Sequence, residues 1–478
     1  MLAERVRAAG GRALLIGGAV RDRLLQRTPV DFDVEIYGLP PETVFALAQD
    51  VGAIRDVGRA FGVLEARLPG CTMHISLPRR ESKIAPGHRG FAIGVDPAMA
   101  PEDAARRRDF TMNAIAEDPL TGEILDPFRG RADLEQRLLR VVDPERFRED
   151  PLRVLRAAVF AAQFELTVDP ETAKVIRQTL PELQRLHRER IGEEWWKLLL
   201  RPLKPSQGLR LLMAWGALTV LHPEFSKLPE TSQNPKWHPE DDVWTHTCLA
   251  VDEAAQLTRG QGAESREPGE LVEEDRWQVL LATLCHDLGK AEATVWRNGA
   301  WRSPGHAAAG VSFTRTFLHS IAASRKTTEV VVRLVREHLQ PLHFFNQQQR
   351  GTPVSDGAIR KLAHRVHPAS VFLLTFVADA DHRGRGAFPG GRPPAAEAGE
   401  YLRVRAASLG VLHGLPAPVL RGSDLVSLGL QPGPSFADIL RAEEQLRDDI
   451  GVSREEVLSR LRGTTSAGEA LDRLHQIS

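Results

Sequence analysis

The chain has 478 residues, and its 62 Lys and Arg side chains nearly balance its 63 Asp and Glu side chains, so the net charge of -1 gives no indication of a nucleic-acid partner. A hydrophobic fraction of 42% can bury several cores and excludes a disordered or fibrous chain. The cysteines Cys71, Cys248 and Cys285 are far apart, which excludes a disulfide scaffold and a thiolate zinc site and suits a reducing cytoplasm. The apolar run at 13–16 is too short to span a bilayer.

The hydrophobic pattern predicts an α+β protein, and the length suggests roughly three domains. Short β-type runs alternate with helical stretches such as 41–51 in the first part of the chain; they lie at 13–16, 30–37, 63–68 and 72–77. The later part is predicted to be helical, with a polar, proline-containing linker at 228–240, a polar loop at 260–270 and a further break at 384–394. We divide the chain into four regions: 1–140, 141–228, 229–390 and 391–478.

The first candidate site begins where an apolar strand is predicted to turn into a helix. Gly17 and Gly18 precede Arg21 and Asp22 there. Two glycines let backbone N–H groups approach a phosphate, and the helix N-terminus adds partial positive charge. A tight strand-to-helix turn has the same sequence and is the commoner origin of such a motif.

The next predicted strand carries Asp31 and Asp33 on one face, because side chains alternate along a strand. Two adjacent carboxylates repel each other unless cations lie between them. In nucleotidyl transfer two Mg²⁺ ions bridge such a pair, one activating the attacking hydroxyl and the other stabilising the triphosphate. An isolated D-x-D is usually an exposed strand end, but its position after the glycine motif favours a metal site.

A third motif, RRRDFTMNA at 106–114, places three arginines beside Asp109 and Asn113. It suits either a solvated basic turn or a clamp for a triphosphate, since guanidinium groups bind phosphate oxygens in pairs.

A fourth motif, FREDPLRVLR at 147–156, is predicted to start a helix with Pro151 in its first turn. Glu149, Arg153 and Arg156 would then share one stripe with Asp150 at its border, a pattern that an ordinary salt-bridged helix face also explains. Asp150 as an acceptor and Arg153 as a donor would match the edge that cytosine and adenine share, and would reject uracil and guanine.

Together the motifs resemble those of class II, bacterial-type tRNA nucleotidyltransferases and poly(A) polymerases: G-G-x-V-R-D, D-x-D, R-R-D-[FL]-T-x-N-A and E-D-x-x-R, in this order. The resemblance implies a polymerase-β-like head, a helical neck that holds the nucleotide, and transfer from CTP and ATP, or from ATP alone, to a tRNA 3′ end. It implies that Asp31 and Asp33 are catalytic and bind Mg²⁺. The residues that it implies for nucleotide binding are Gly18, Arg21, Arg108, Asp150, Arg153 and Arg156.

Two positions depart from the pattern of this family. His74 occupies a strand position where many relatives carry an acidic residue, so a third metal carboxylate is missing or is supplied by Glu81. The neck helix has Val159 and Gln163 where relatives usually carry arginines. We expect Val159 to pack in the core, because it falls on the apolar side of the helix.

A second set of candidate residues lies in the third region: His246, the adjacent His286 and Asp287, His306, His338 and Asp381. Such a series suits a divalent metal with nitrogen and oxygen ligands, although any one of these histidines is more often a core residue. The set resembles the HD phosphohydrolase superfamily, with HDLGK at 286–290 and ADHRGR at 380–385.

The HD resemblance implies that His246, His286, Asp287 and Asp381 are direct ligands, with His306 and His338 lining the site. The metal identity stays open. In this superfamily the domain is linked to phosphatase or phosphodiesterase activity, but a metal-loaded scaffold that binds tRNA is equally compatible. The tail at 421–434 resembles the C-terminal RNA-binding segment of the nucleotidyltransferases, and by itself indicates a capped turn before an amphipathic helix.

The sequence therefore favours an enzyme that adds or repairs the CCA end of tRNA, or only its terminal A. The resemblance implies a loop at 79–95 that helps to switch base specificity, and its presence here, with Glu81, Lys83, His88 and Arg89, argues against an enzyme that adds only C. A poly(A) polymerase is disfavoured, since the chain lacks a Lys- and Arg-rich C-terminal extension and carries HD motifs. An HD phosphohydrolase with an RNA-binding front module is disfavoured by the intact Asp31 and Asp33. The oligomeric state stays open.

Overall fold

The structure is a computed structural model that describes residues 1–29, 31–49, 53–58, 63–68, 71–83, 91–259, 271–386, 397–416 and 418–476. The chain divides into two compact units, Met1–Leu198 with Gln207–Leu221, and Leu199–Ser206 with His222–Ser478. None of the helices in the described ranges combines the length and the apolar character needed to cross a membrane.

The first unit contains a seven-stranded sheet with helices around it. Its strands are β1 (Arg12–Ile16), β2 (Asp31–Tyr37), β3 (Ala53–Gly58), β4 (Val63–Leu68), β5 (Cys71–Ser76), β6 (Arg79–Lys83), β7 (Phe91–Val95), β8 (Ala116–Glu117), β9 (Ile124–Leu125), β10 (Leu138–Leu139) and β11 (Thr167–Val168). The helices up to residue 221 are α1 (Leu2–Ala8), α2 (Gly18–Leu24), α3 (Pro41–Gln49), α4 (Pro101–Arg106), α5 (Gly130–Glu135), α6 (Pro144–Glu149), α7 (Arg153–Phe164), α8 (Pro170–Thr179), α9 (Arg188–Leu200), α10 (Ser206–Trp215) and α11 (Ala217–Leu221).

The order of the large sheet is β3-β4-β5-β2-β1-β8-β9, which places β2 near its centre. β2 pairs antiparallel with β1 and parallel with β5, so that Asp33 is opposite His74. Along β2 the residues from Val34 to Tyr37 are buried, whereas Asp31 is exposed and Asp33 is half-buried. The sheet therefore presents its two carboxylates at the open end of a strand whose other end is fixed in the core.

Helix α7 is buried on most of its surface, including Val159, whose exposed fraction is 2%. The expectation that Val159 packs in the core is confirmed. Helix α10 lies so close to α7 that a Cβ added to Gly208 would lie 2.8 Å from the backbone oxygen of Ala158.

The second unit is helical and carries one short hairpin, β12 (Val295–Arg297) with β13 (Ala300–Arg302). Its helices are α12 (Val243–Leu257), α13 (Glu273–Cys285), α14 (Lys290–Ala293), α15 (His306–Ser320), α16 (Arg325–Glu337), α17 (Gln340–Gln349), α18 (Asp356–Val366), α19 (Val371–Arg383), α20 (Glu397–Ser408), α21 (Gly422–Ser427), α22 (Ser435–Ile450), α23 (Arg454–Leu461) and α24 (Ala467–His475). Helix α12 packs against α13 and α19, which brings their ends together around the histidines.

The predicted α+β class and a helical later part are confirmed, and the strands lie within a residue or two of their predicted bounds. In the tail, Asp424 accepts a hydrogen bond from the backbone N–H of Arg421 at the start of α21, which confirms the capped turn.

Three predictions about local structure were wrong. The helix expected from residue 147 is interrupted: α6 ends at Glu149, Asp150 is extended, and α7 begins at Arg153, because a residue before proline avoids the helical conformation. Glu149 therefore does not share a helix stripe with Arg153. The segment 228–240 is not a plain linker, since Ser232 forms a β-bridge with Asp242.

The expected loop at 79–95 has the paired strands β6 and β7 at its ends. His88 and Arg89 lie outside the described residues, as do the loop at 260–270 and most of the break at 384–394, and the side chains of Glu81 and Lys83 are not described.

Candidate active site and buried metal cluster

The glycine turn, one of the strand carboxylates and one arginine meet in the first unit. Gly17 has φ +67°, a left-handed conformation that favours glycine, and an added Cβ there would lie 3.6 Å from Arg108 Nη1 and 4.0 Å from Asp33 Oδ2. The turn therefore brings the backbone close to both groups. Asp31 and Asp33 offer hard carboxylate oxygens in a solvent-accessible position, which fits Mg²⁺, an ion that usually retains several waters in proteins.

His74, which occupies a position where many relatives carry an acidic residue, lies between the carboxylates of Asp33 and Glu65. Its Nδ1 is 3.4 Å from Asp33 Oδ1, and its Nε2 is 4.0 Å from an oxygen of Glu65 on the neighbouring strand β4. Glu65 was not found from the sequence, although its position on the same face of the paired strands β4 and β5 is the signal that indicates it.

Arg21 is buried, and its guanidinium group is fully engaged. Nη1 donates to Asn113 Oδ1 over 2.7 Å, while Nε and Nη2 donate to Asp22. The flat face of the group lies over the rings of Phe160 and Phe164 on α7. Burial lowers the pKa of Arg21, and Asp22 opposes that shift. Its expected contact with the triphosphate stays a prediction.

Asp109 links the third motif to the fourth. Arg156 donates to its Oδ2 through Nε over 2.7 Å, and Asn113 Nδ2 donates to its Oδ1 over 2.9 Å. Burial alone would raise the pKa of Asp109, but Arg156 and the hydrogen bond from Asn113 hold it below its ordinary value. The carboxylate therefore stays ionised in the interior.

These contacts form one continuous chain of hydrogen bonds, which we call the head network: Asp22, Arg21, Asn113, Asp109 and Arg156. Three of the motifs contribute to it. Asn113 is its central member, and the sequence did not identify it as a site residue because one of its partners, Arg21, lies 92 positions earlier in the chain.

The three arginines of the third motif have different surroundings. Arg106 pairs with exposed Glu102, and Arg107 donates to buried Glu35 over 2.7 Å. Arg108 is the one of the three that approaches the glycine turn. This arrangement favours Arg108 for a phosphate contact and gives Arg107 a structural partner.

The proposed base-reading residues also have partners. Asp150 accepts two hydrogen bonds from Arg190 of α9, over 3.2 and 2.8 Å. Arg153 donates to the backbone oxygens of Arg146 and Arg107. The sequence did not identify Arg190, because no local pattern connects it with a carboxylate that lies 40 positions earlier.

In the second unit the expected histidines and aspartates do meet in a buried cluster. His246 Nε2 is 3.1 Å from Asp381 Oδ1 and 3.3 Å from His286 Nε2. Asp287 Oδ2 is 3.2 Å from His286 Nε2, and its Oδ1 is 3.2 Å from His306 Nε2. The sequence had placed all of these residues in one site.

Three of these histidines are held in one tautomer. The Nδ1 atoms of His286, His306 and His338 each face a backbone carbonyl three residues earlier, at 2.6, 2.8 and 2.7 Å. A carbonyl oxygen only accepts, so Nδ1 carries a proton, and in the neutral imidazole Nε2 keeps its lone pair. These Nε2 atoms therefore point into the cluster as potential metal ligands.

The segment 228–240, which was expected to be a linker, contributes residues that contact the histidines and Lys290 from behind the cluster. Glu240 Oε1 is 2.8 Å from Nδ1 of both His246 and His238, and Gln233 accepts a hydrogen bond from Lys290. A carboxylate behind a ligating histidine orients the ring and raises its basicity. Burial alone would lower the pKa of His246, but the hydrogen bonds with Asp381 and Glu240 raise it to about 9.

Neither oxygen of Asp287 has a hydrogen bond of ordinary geometry among the described residues, although its exposed fraction is 1%. Burial would raise its pKa, but His286 and Lys290 hold it well below the ordinary value. A buried, ionised carboxylate that pairs with Lys290 Nζ over 2.7 Å and also faces several histidine nitrogens fits a bound cation.

The head sheet, the strand carboxylates and the glycine turn define a nucleotidyltransferase. Two family descriptions match the chain, "Poly A polymerase head domain" over residues 13–140 and "Probable RNA and SrmB-binding site of polymerase A" over residues 165–228.

Curated relatives define the family more narrowly. The "Multifunctional CCA protein" of Xylella fastidiosa is 34% identical over 414 residues, which covers 84% of this chain and 90% of the relative. The protein of that name from Methylococcus capsulatus is 35% identical over 384 residues, covering 79% and 83%. The chain belongs to the multifunctional CCA protein family, and the resemblance found in its motifs is confirmed.

Solved structures agree in fold. The chain matches a "Bacillus stearothermophilus CCA-adding enzyme in complex with CTP" with TM-score 0.62 and 23% identity, over 96% of this chain and 95% of that one. It matches a "Thermotoga maritima CCA-adding enzyme complexed with tRNA_CCA" with TM-score 0.56 and 17% identity, over 96% and 93%.

Proposed function

We propose that this protein completes or repairs the 3′ end of tRNA by transferring CMP and AMP units from CTP and ATP. The observation that carries the proposal is the meeting of Asp33, Gly17 and Arg108 beside the open end of β2 in a protein of this family. Asp31 and Asp33 would hold Mg²⁺, which would supply Lewis-acid activation of the attacking hydroxyl and charge stabilisation for the leaving pyrophosphate. Gly18, through its backbone at the N-terminus of α2, and Arg108 would bind the triphosphate.

The head network would position the nucleotide rather than react with it. Arg156 is fixed by Asp109, and Arg21 by Asn113, so that both guanidinium groups have defined places before the nucleotide arrives. Such preorganisation reduces the entropy lost on binding.

Asp150 and Arg153 would select the base. The bidentate contact with Arg190 fixes the carboxylate of Asp150, which can then accept from the exocyclic amine of cytosine or adenine. The carbonyl of uracil or guanine would face the same carboxylate, and two acceptors repel each other. Arg153, which now donates to backbone oxygens, would donate to the ring nitrogen.

The test is incubation with tRNAs that end before the CCA, after C and after CC, each with labelled CTP or ATP. We expect CTP to extend the first two and ATP to extend the third. Incorporation of ATP alone, and only after CC, would select the A-adding version. Runs of A on any RNA would select a poly(A) polymerase, and no incorporation would contradict the proposal. Asp33→Ala should abolish addition.

A specific observation favours a second activity. The buried cluster of the second unit fits a divalent metal held by His246, His286, Asp287 and Asp381, and we propose a metal-dependent phosphohydrolase there. His286→Ala should remove hydrolysis of a phosphate ester and keep CCA addition, whereas Asp33→Ala should do the reverse. We further propose that the chain consists of a head at 1–140, a neck at 141–228, this metal domain at 229–390 and an RNA-binding tail at 391–478.

A further inference from the structure

Glu35 is a buried carboxylate on the strand that carries the two candidate metal ligands. It lies two residues after Asp33 on β2, and alternation along the strand places it on the same face as Asp31 and Asp33. Its exposed fraction is 2%, whereas Asp31 is exposed and Asp33 is half-buried. A carboxylate at such a depth needs a cation and hydrogen bonds, so its partners indicate its role.

Both oxygens of Glu35 have a partner. Arg107 Nη2 donates to Oε1 over 2.7 Å, and the hydroxyl of Tyr37 donates to Oε2 over 2.6 Å. Burial and the neighbouring carboxylate raise the pKa of Tyr37, so its hydroxyl keeps the proton that it donates. The carboxylate of Glu35 is therefore fixed from both sides, at the buried end of the strand face that carries the aspartates.

Arg107 connects Glu35 to other parts of the first unit. Its Nη1 donates to the backbone oxygen of Arg79, the first residue of β6, over 3.4 Å, and its Nε donates to the backbone oxygen of Ala104. The backbone oxygen of Arg107 accepts a hydrogen bond of 2.6 Å from Arg153 Nη2. Arg107 thus holds Glu35 with its side chain and the proposed base-reading arginine with its backbone.

The ion pair between Glu35 and Arg107 lies in the interior. The side chain of Arg107 is 22% exposed, and that of Glu35 is 2% exposed, so water weakens their attraction little. Loss of the carboxylate charge would detach the segment directly after α4 from β2. The carbonyl group that holds Arg153 belongs to this segment.

We propose that Glu35 is a positioning residue for nucleotide addition, which through Arg107 sets the place of Arg153 relative to the strand that carries Asp33. The proposal rests on the roles proposed above for Asp33 and Arg153. A base that Arg153 accepts then brings its phosphates to the open end of β2, and selection of the base is linked to placement of the reacting group. Loss of Glu35 therefore weakens the choice between bases, an effect that a purely structural carboxylate would not have.

The test is a double-mutant cycle in the full chain with Glu35→Gln, Arg153→Lys and the two combined. The quantity measured is the ratio of kcat/KM for CTP to kcat/KM for UTP on a tRNA that lacks its CCA end. We expect Glu35→Gln to lower this ratio about 10-fold, because Arg153 loses its fixed place. The combined variant should have a ratio no lower than that of the more affected single variant, because both changes act on one contact.

Asp169→Asn is the matched control, since it removes another buried carboxylate of the same unit, one that pairs with Arg140 over 2.8 Å. It should lower the unfolding temperature and leave the ratio unchanged. Effects that multiply in the combined variant would overturn the link and leave base reading by Arg153 intact. An unchanged ratio in Arg153→Lys would overturn both roles, and a wild-type chain that adds no nucleotide would overturn the proposed function itself.

Tyr37→Phe decides the matter if Glu35→Gln fails to fold. This substitution keeps the aromatic ring and the ion pair, and removes only the hydroxyl that holds Oε2 of Glu35. The ratio should fall about 3-fold, because the carboxylate loses one of its two fixed partners. An unchanged ratio in a folded Tyr37→Phe chain would overturn the proposal.

Discussion

The substitution Asp109→Asn tests the head network. Asp109 is the carboxylate of this network that joins the third motif to the fourth. The substitution keeps the shape of the side chain and removes its charge. The amide oxygen can still accept from Asn113 and from the backbone N–H of Phe110. The amide nitrogen then faces the guanidinium of Arg156, so that donor meets donor and a cation loses its partner.

The magnitude follows from burial. Removing one partner of a fully buried ion pair costs about 3–5 kcal/mol. The side chain of Arg156 is 33% exposed, so water recovers part of this loss. We expect Asp109→Asn to lower the free energy of unfolding by about 2–3 kcal/mol at pH 7, which corresponds to roughly 5–10 °C for a unit of this size.

The pH dependence has a definite sign. The pKa of Asp109 is lower in the folded protein than in the unfolded chain, so its contribution is complete above the unfolded value and is lost as the pH falls below about 4. The difference between the wild type and Asp109→Asn should therefore shrink in acid.

The assay combines calorimetry with the kinetics of CTP and ATP addition. Because Arg156 loses its fixed position, kcat/KM should fall about 10- to 100-fold for both nucleotides. Asp118→Asn is the control: Asp118 pairs with half-exposed Arg12 outside the network, and its loss should cost at most about 1 kcal/mol and leave kcat/KM unchanged. Equal effects of the two substitutions on stability and kinetics would refute the reasoning.

Three further predictions concern Gly289, Arg190 and Glu443. Gly289→Ala should destabilise the second unit by about 3 kcal/mol or more and lower its metal content, since the new methyl group would overlap the backbone oxygen of His306; calorimetry and metal analysis check this. Arg190→Met should reduce discrimination against UTP and GTP about 10-fold, as Asp150 loses its fixed orientation; misincorporation assays measure it. Burial raises the pKa of Glu443 to about 7, so the stability of the wild type should fall as the pH rises from about 4.5 to 7, whereas Glu443→Gln should show no such fall in thermal scans.

Each of these three substitutions has a matched control variant. Gly299→Ala adds a methyl group in open space, although at φ +74°, and should cost only about 1 kcal/mol without loss of metal. Arg185→Met removes an exposed arginine that pairs with Glu182 and should leave base selection unchanged. Glu444→Gln should keep the pH dependence of the wild type. A control variant that shows the same measured effect as its test variant would contradict the corresponding prediction.

The strand carboxylates and the glycine turn were predictable because short spacing along the chain determines their geometry. Asp31 and Asp33 share a strand face by alternation, and Gly17 follows directly on a strand. The histidine cluster was predictable for a different reason, because so many candidate His and Asp ligands rarely occur together in one region of a sequence.

Partners from distant segments were not predictable. Arg190 reaches Asp150 across 40 positions, and Arg21 reaches Asn113 across 92 positions, through contacts that no local period encodes. The helix was predicted to start too early, at residue 147 instead of Arg153, because the prediction ignored how Pro151 restricts the conformation of the residue before it. Glu240 was missed because polar composition alone indicated a linker.

The burial of Arg21 has a consequence for the order in which the protein is made. Its partners Asp22 and Asn113 emerge from the ribosome early, but Phe160 and Phe164, which cover its guanidinium, belong to α7 and emerge much later. Until then the charged group is solvated and the carboxylate of Asp109 lacks Arg156. A nascent chain that ends near residue 140 is thus left with an unfinished catalytic half, and the enzyme becomes competent only when α7 has been synthesised and has docked.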